Sequence, residues 1–289
     1  MIRFVNYRLV ISVFQSHLLT LFSYNHNFLP FICDQSVLGF KTQTWSQIVV
    51  GFKYKKAFSD LGSGFVKFMK NKLNFFFRHQ IWHVGGTIAL FYIGYQFVDL
   101  DVNTNTFLRI SALSWFMIAM SIPLIHQVYT WICWRSELCW KSVSSSIGLK
   151  GYLIGFFILI ISRFSAVVLC FVDYGSLYKP GLISWTLSIV VFIPGLYTMY
   201  SVKKYFGFVR AAGADHFDPK YKNIPFEKRG IFKWSSNAMY TYGLAIPFGF
   251  AIATGSQSMF IVSLYTYISI WLHYFCTEKE DFKIIYGNN

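Results

Sequence analysis

Six stretches of this chain leave almost nothing for water to contact: Trp82–Val98, Phe107–Cys133, Gly151–Val172, Gly181–Val202, Ala238–Thr254 and Met259–Cys276 are predominantly apolar. None of the twelve acidic residues falls inside them. A membrane crossing wants about 20 apolar residues, with about 17 as the lower limit. A carboxylate at the helix centre costs about 2.5–3.5 kcal/mol on insertion scales, so its exclusion is informative. The pattern predicts an all-α, polytopic transmembrane helical bundle of about six spans. The last two spans are joined only by Gly255 to Ser258, which predicts a C-terminal helical hairpin. Charged residues make up 13% of the chain. A soluble domain carries about 25%, so a water-facing surface of ordinary size is excluded.

The remaining charge is lopsided. Lys and Arg number 26 against 12 Asp and Glu, a formal +14. In an apolar chain this reads as basic loops held against anionic headgroups, and no nucleic-acid partner is implied. The segment before the first span carries Lys53, Lys55, Lys56, Lys67, Lys70, Lys72 and Arg78. The next turn has Asp99 and Asp101, and Arg135, Lys141 and Lys150 follow. The Asp173–Pro180 turn has one lysine, while the loop over 203–236 is again strongly basic. This alternation predicts both termini and the 203–236 loop on the cytoplasmic face. The membrane would be the endoplasmic reticulum in a eukaryote, or the inner membrane in a bacterium. Residues 1–80 read as a basic N-terminal arm and 81–289 as the transmembrane domain. Within the arm, Leu9–Phe22 is semi-apolar but holds Gln15, Ser16 and His17. That favours an amphipathic surface segment over a targeting peptide. The five cysteines are odd in number and lack any CxxC, so neither a metal site nor a disulfide framework is expected.

Polar residues concentrate late in the chain. The fourth span is followed by Arg210-Ala211-Ala212-Gly213-Ala214-Asp215-His216-Phe217-Asp218 and, later, by Ser235-Ser236-Asn237. The last span ends His273-Tyr274-Phe275-Cys276-Thr277-Glu278-Lys279-Glu280-Asp281. Asp218, Glu280 and Asp281 read as a solvated rim or helix caps. Glu278, at the exit of an aromatic and apolar run, reads as facing a partly buried pocket where it needs a cationic partner. Arg163 is the only charge deep within a span. It is expected to meet a headgroup phosphate or a cofactor carboxylate, or else to snorkel or pair between helices. His126 reads as a hydrogen-bonded packing residue. Trp82, Trp131, Trp134, Trp140 and Trp271, near span ends, read as an interfacial belt.

Asn237-Ala238-Met239-Tyr240, opening a two-helix hairpin that closes with His273-Tyr274-x-x-Thr277-Glu278, resembles the C-terminal half of the integral-membrane methyltransferases. That group includes the phosphatidylethanolamine N-methyltransferases and the isoprenylcysteine carboxyl methyltransferases. Upstream, Pro194-Gly195-Leu196-Tyr197 and Tyr205-Phe206-Gly207 are similar to the phospholipid branch. The resemblance covers roughly residues 190–289. It implies S-adenosylmethionine as cofactor, with Gly195 and Tyr197 lining it, and with Asn237, Ala238 and Tyr240 on its adenosine side. By the same resemblance His273 belongs to the cofactor site and Glu278 holds the cationic part. The chain departs from the isoprenylcysteine branch in having Ser236-Asn237-Ala238 where that branch has Arg-His-Pro.

Methyl transfer from a sulfonium is an in-line displacement with a neutral leaving group, so alignment and a dry pocket supply most of the rate. An amine acceptor must also lose a proton, which Asp215, His216 or Glu278 could take as catalytic groups. A carboxylate acceptor would want an arginine clamp instead. The balance favours a membrane lipid with an amine headgroup, such as phosphatidylethanolamine or a partly methylated derivative. The alternatives are an isoprenylcysteine or another lipophilic acceptor. A transporter or scaffold ranks below these, since Arg163 alone sits at mid-span and no repeat is visible.

Overall fold

The computed structural model of the protein describes residues 62–98 and 106–287. The segment Leu9–Phe22, and with it the reading of residues 1–60 as a surface arm, lies outside the described residues. The described chain is helical but for one two-residue pairing, Thr106–Phe107 (β1) with Ile110–Ser111 (β2). Helix α1 covers 62–77 and α2 covers Gln80–Gln96. Helix α3 is Ala112–Trp140, the short α4 is Ser142–Ser146, and α5 spans Gly148–Val172 with a 3-10 stretch at Arg163–Val168. Helix α6 spans Leu182–Phe206, α7 is Ala238–Thr254, and α8 spans Gln257–Tyr286. Four of these (α3, α5, α6 and α8) are long and apolar enough to cross a membrane, and α7 is a shorter apolar helix. The protein is therefore an integral, multi-pass membrane protein.

Helix boundaries follow local chemistry. Ser111 caps α3, its hydroxyl accepting from the Ser114 amide at 3.2 Å. Lys141 ends the helix in the left-handed region at φ 57°. Asp173, buried at the end of α5, accepts from the Ser258 amide at 2.7 Å and the Ser256 hydroxyl at 3.0 Å. Its carboxylate thus sits against the N-terminus of α8, where partial positive charge gathers. Gly255 turns the chain between α7 and α8 at φ 59°, and a Cβ there would lie 2.2 Å from the Tyr178 carbonyl oxygen. Only glycine fits that turn.

The helices alternate in direction. Gln80 at the start of α2 donates to Thr277 Oγ1 (3.1 Å) near the end of α8, and Tyr240 at the start of α7 reaches the same region. Tyr152, early in α5, donates to the Ala212 carbonyl at 2.7 Å in the loop that follows α6. One core cluster lies at the far end of the bundle, around Phe116, Met120, Leu169, Met259 and Tyr265. A second, around Trp134, Tyr152 and Phe217, lies under the 207–237 loop. The outer faces of α5 and α6 expose Ile154, Ile158, Ile161, Leu182, Ile183 and Ile193, as a lipid-facing surface requires.

Candidate active site

The site is built where α6, α8 and the 207–237 loop meet. Both long helices lose their regular winding there. The last turn of α6, Val202–Phe206, and the turn Tyr274–Glu278 of α8 are π-helical. Such widened turns shift the register of the side chains that follow. In α8 the helix continues ten residues beyond the expected end at Cys276, and this carries Glu278, Asp281 and Tyr286 over the loop.

The loop is folded back by Gly213, at φ 80°, where a Cβ would come within 2.4 Å of the Trp134 ring. Arg210 holds its far limb, donating to the Pro225 (3.0 Å) and Ile224 (2.7 Å) carbonyls. His216 is thereby pressed flat on Trp134, with centroids 4.3 Å apart and planes 17° apart. Trp134 is buried, so it belongs to the site and not to the interfacial belt expected for it. His216 Nδ1 lies 3.1 Å from Asp215 Oδ1, and Nε2 lies 3.5 Å from Asp281 Oδ2. Asp215 also accepts from the Tyr286 hydroxyl at 2.6 Å.

Asp281 is no rim residue. It is fully buried and accepts from Arg135 Nε at 2.6 Å. Arg135 is equally buried and donates to the carbonyls of Phe75, Arg78 (3.2 Å) and Cys276 (3.1 Å). A guanidinium satisfied on all sides offsets the cost of burying the pair. Glu280 does lie at the rim, between Arg78 and Lys283, and Asp218 caps a short helical turn.

These contacts set the charge state of the loop. Burial opposes the charged form of His216, but hydrogen bonds and charge from Asp215 and Asp281 outweigh it and push the imidazole up to about 9. Burial likewise works against the Asp215 carboxylate, yet the His216 contact and the Tyr286 hydroxyl hold it below the usual range. His216 is therefore an imidazolium at neutral pH, its Nδ1 shared between Asp215 and the Gly213 carbonyl, while Nε2 faces Asp281 at 3.5 Å without a hydrogen bond.

Asp215, His216 and Glu278 line one small pocket of about 40 Å³, together with Arg210, Met239 and Tyr286. Glu278 accepts from the Tyr240 hydroxyl at 2.5 Å and makes no ion pair with a described residue. A second cavity, of about 260 Å³, shares Trp134, Ala211 and Met239 with the first and is lined by Tyr240 and His273. His273 is buried, and its Nδ1 has no hydrogen-bond partner among the described residues.

The other residues expected at the cofactor lie elsewhere. Gly195 faces α7, where a Cβ would meet Ile246 Cγ1 at 2.6 Å. Tyr197 is partly exposed beside Tyr200 and Trp234. Ala238 is buried with Val202, Ile231 and Phe232, and Asn237 precedes the first turn of α7 without capping it by its side chain. None of the four lines either cavity. Arg135, Asp281 and Trp134 were not expected here. The positive-inside pattern had already accounted for Arg135, and its partner is 146 residues away in sequence.

Residues 183–289, which begin inside α6 and run through α7 and α8, match the family described as phospholipid methyltransferase. Over that C-terminal segment the chain is similar to the integral-membrane methyltransferases of the phospholipid type. The match supports S-adenosylmethionine-dependent methylation of a phospholipid headgroup as the main catalytic reading. No curated protein and no solved structure matches the chain. The methyltransferase match leaves α1 to α5 outside it, so Trp134, Arg135 and Arg163 come from sequence that the family does not describe. The donor set fits the cofactor. A sulfonium and an ammonium suit a partly buried carboxylate that lacks a cation, and His273 Nδ1 and the Tyr240 hydroxyl add polar contacts along the same wall.

Proposed function

We propose that the acceptor is the amine of phosphatidylethanolamine or a partly methylated derivative, and that Glu278 faces the reacting centre. The observation that carries this reading is a carboxylate that makes no ion pair with any described residue, in a pocket that adjoins a larger, mostly apolar cavity. When bound, S-adenosylmethionine supplies an electrophilic methyl group on its sulfonium. Glu278 balances positive charge in the pocket and is the nearest carboxylate free to accept an amine proton. Asp215 is already engaged by His216 and Tyr286. The His216 imidazolium has no free lone pair for that proton. It holds the loop in place between Asp215 and Asp281, as a positioning residue.

The reading also takes α2 and α7 as spans, giving six crossings with the 207–237 loop on the cytoplasmic face. The alternating helix directions and the basic loops support it. Purified protein given methyl-labelled cofactor should label phosphatidylethanolamine. Label on a prenylcysteine, with none on the phospholipid, would overturn the amine assignment.

A further inference from the structure

Arg163 lies near the middle of α5, on the wall between two cavities. The upper one is the cavity of about 260 Å³ that Tyr240 and His273 line. The lower one, of about 240 Å³, is walled by Pro123, Phe164, Pro247, Phe250 and Val262. The two share Ile160, Arg163 and Leu244. Arg163 Nε is buried, and the side chain makes no hydrogen bond or ion pair to any described residue. His126 Nε2, on the wall of the upper cavity, is also buried without a partner. Its ring packs edge-on against Phe156, so the hydrogen bond expected of it is missing.

A guanidinium in apolar surroundings is costly unless an anion meets it. None comes from the described chain, so a ligand is the natural source. The two cavities decide which kind. Both spaces are mostly apolar, but the upper one also presents His126, Gln127, Thr130 and Tyr240, the last bonded to Glu278, whereas the lower one offers only Thr266 besides Arg163 and adjoins Phe164, which is 65% exposed. A ligand with its anion at Arg163 must therefore be polar on one side and apolar on the other. A phospholipid carries amine, phosphate and acyl chains in that order. A cofactor carboxylate ends its molecule and has no apolar continuation.

We infer that Arg163, with His126, binds the phosphodiester of the lipid substrate, with the headgroup reaching toward Glu278 and an acyl chain in the lower cavity. The inference rests on the phospholipid-amine reading above. It assigns a binding role to residues outside the segment that matches the family. Phosphate recognition at this wall would make the enzyme prefer a phospholipid over an equally long amine that has no phosphate.

The test is equilibrium binding to the purified full chain, of pyrene-labelled phosphatidylethanolamine, of sphingosine as a phosphate-free lipid amine, and of S-adenosylhomocysteine. Arg163→Gln should weaken phosphatidylethanolamine binding about tenfold or more. It should leave sphingosine and S-adenosylhomocysteine within about twofold. Arg163→Lys keeps the charge and should restore part of the loss. His126→Phe keeps the ring but not the nitrogen, and should weaken the phospholipid alone. Should Arg163→Gln not fold, Arg163→Lys and His126→Phe carry the same comparison. Loss of S-adenosylhomocysteine binding with unchanged phospholipid would overturn the inference in favour of the cofactor carboxylate. Equal binding of phosphatidylethanolamine and sphingosine by the parent would overturn it outright. A parent that binds phosphatidylethanolamine without methylating it would remove the proposed acceptor and leave the phosphate site standing.

Discussion

Glu278 uses one carboxylate oxygen on the Tyr240 hydroxyl and makes no ion pair with any described residue. If a sulfonium completes the pair, Glu278→Gln keeps the shape and removes the attraction. S-adenosylmethionine affinity should then fall by about 2 kcal/mol, roughly thirtyfold. S-adenosylhomocysteine, which lacks the sulfonium charge, should lose less in the same calorimetric titration. Equal losses would move the contact to the shared ammonium, and no loss for either would leave Glu278 a partner of Tyr240 only. His216 gives a pH dependence of opposite origin. Its folded-state value of about 9 lies above the ordinary 6.5. Its contribution to stability is therefore fully present below 6.5 and is lost as pH rises through about 9. The gap in melting temperature between the parent and His216→Gln should be widest below about pH 6.5 and should narrow as pH rises through about 9. A gap that widens with pH would mean that His216 is neutral in the fold.

Arg135 ties three elements together through one guanidinium: α1 by the Phe75 carbonyl, α3 by its own backbone, and α8 by Asp281 and the Cys276 carbonyl. Arg135→Met leaves the buried Asp281 with only the looser His216 contact at 3.5 Å, and breaking a buried pair in this way typically costs up to about 3–5 kcal/mol. Thermal unfolding in detergent should show that loss, and Arg135→Met with Asp281→Leu should recover much of it. A double variant no better than the single one would place the tie elsewhere. Gly195 makes the corresponding test for α6 and α7. With Ile246 Cγ1 only 2.6 Å from a Cβ, Gly195→Ala should lower stability by wedging the helices. Cofactor affinity should be little changed in the protein that still folds. A selective loss of cofactor binding would restore the lining role that the resemblance gives Gly195. Helix α8 also shows where sequence reading stops. Its apolar run ends at Cys276, but the helix continues through a π turn and a charged segment, because Asp281 finds Arg135 and Glu278 finds Tyr240. Hydropathy located the core of each span and could not see those partners. The loop composition pointed to Asp215, His216 and Glu278 as neighbours. Arg135 was hidden, because a lone arginine at a span end looks the same whether it faces headgroups or a buried carboxylate.

At the scale of the whole molecule, the charge pattern and the helix directions bear on one question, which face carries the site. The π turns, the basic 207–237 loop and the ends of α2, α3 and α8 gather at one end of the bundle. At the other end, the α5–α6 turn and the α7–α8 turn meet, with Gly175 and Leu177 donating to the Thr254 (2.9 Å) and Gly255 (2.8 Å) carbonyls. The first end holds most of the described lysines and arginines, and the proposed topology, following the positive-inside bias, puts it on the cytoplasmic side. Single cysteines introduced at Ser145 and Lys222 report on that end, and at Ser176 and Lys179 on the other; all four positions are exposed. Ser256, in the same far turn, is fully buried and would be silent from either side. With Cys33 and Cys276 replaced, a membrane-impermeant maleimide added from the cytoplasmic side should label 145 and 222 and spare 176 and 179. Labelling of 176 and 179 from that side would invert the orientation and place the methyl-transfer site away from the cofactor supply. Labelling of all four would mean that the two turns do not lie on opposite faces, and that α5 and α6 do not both cross.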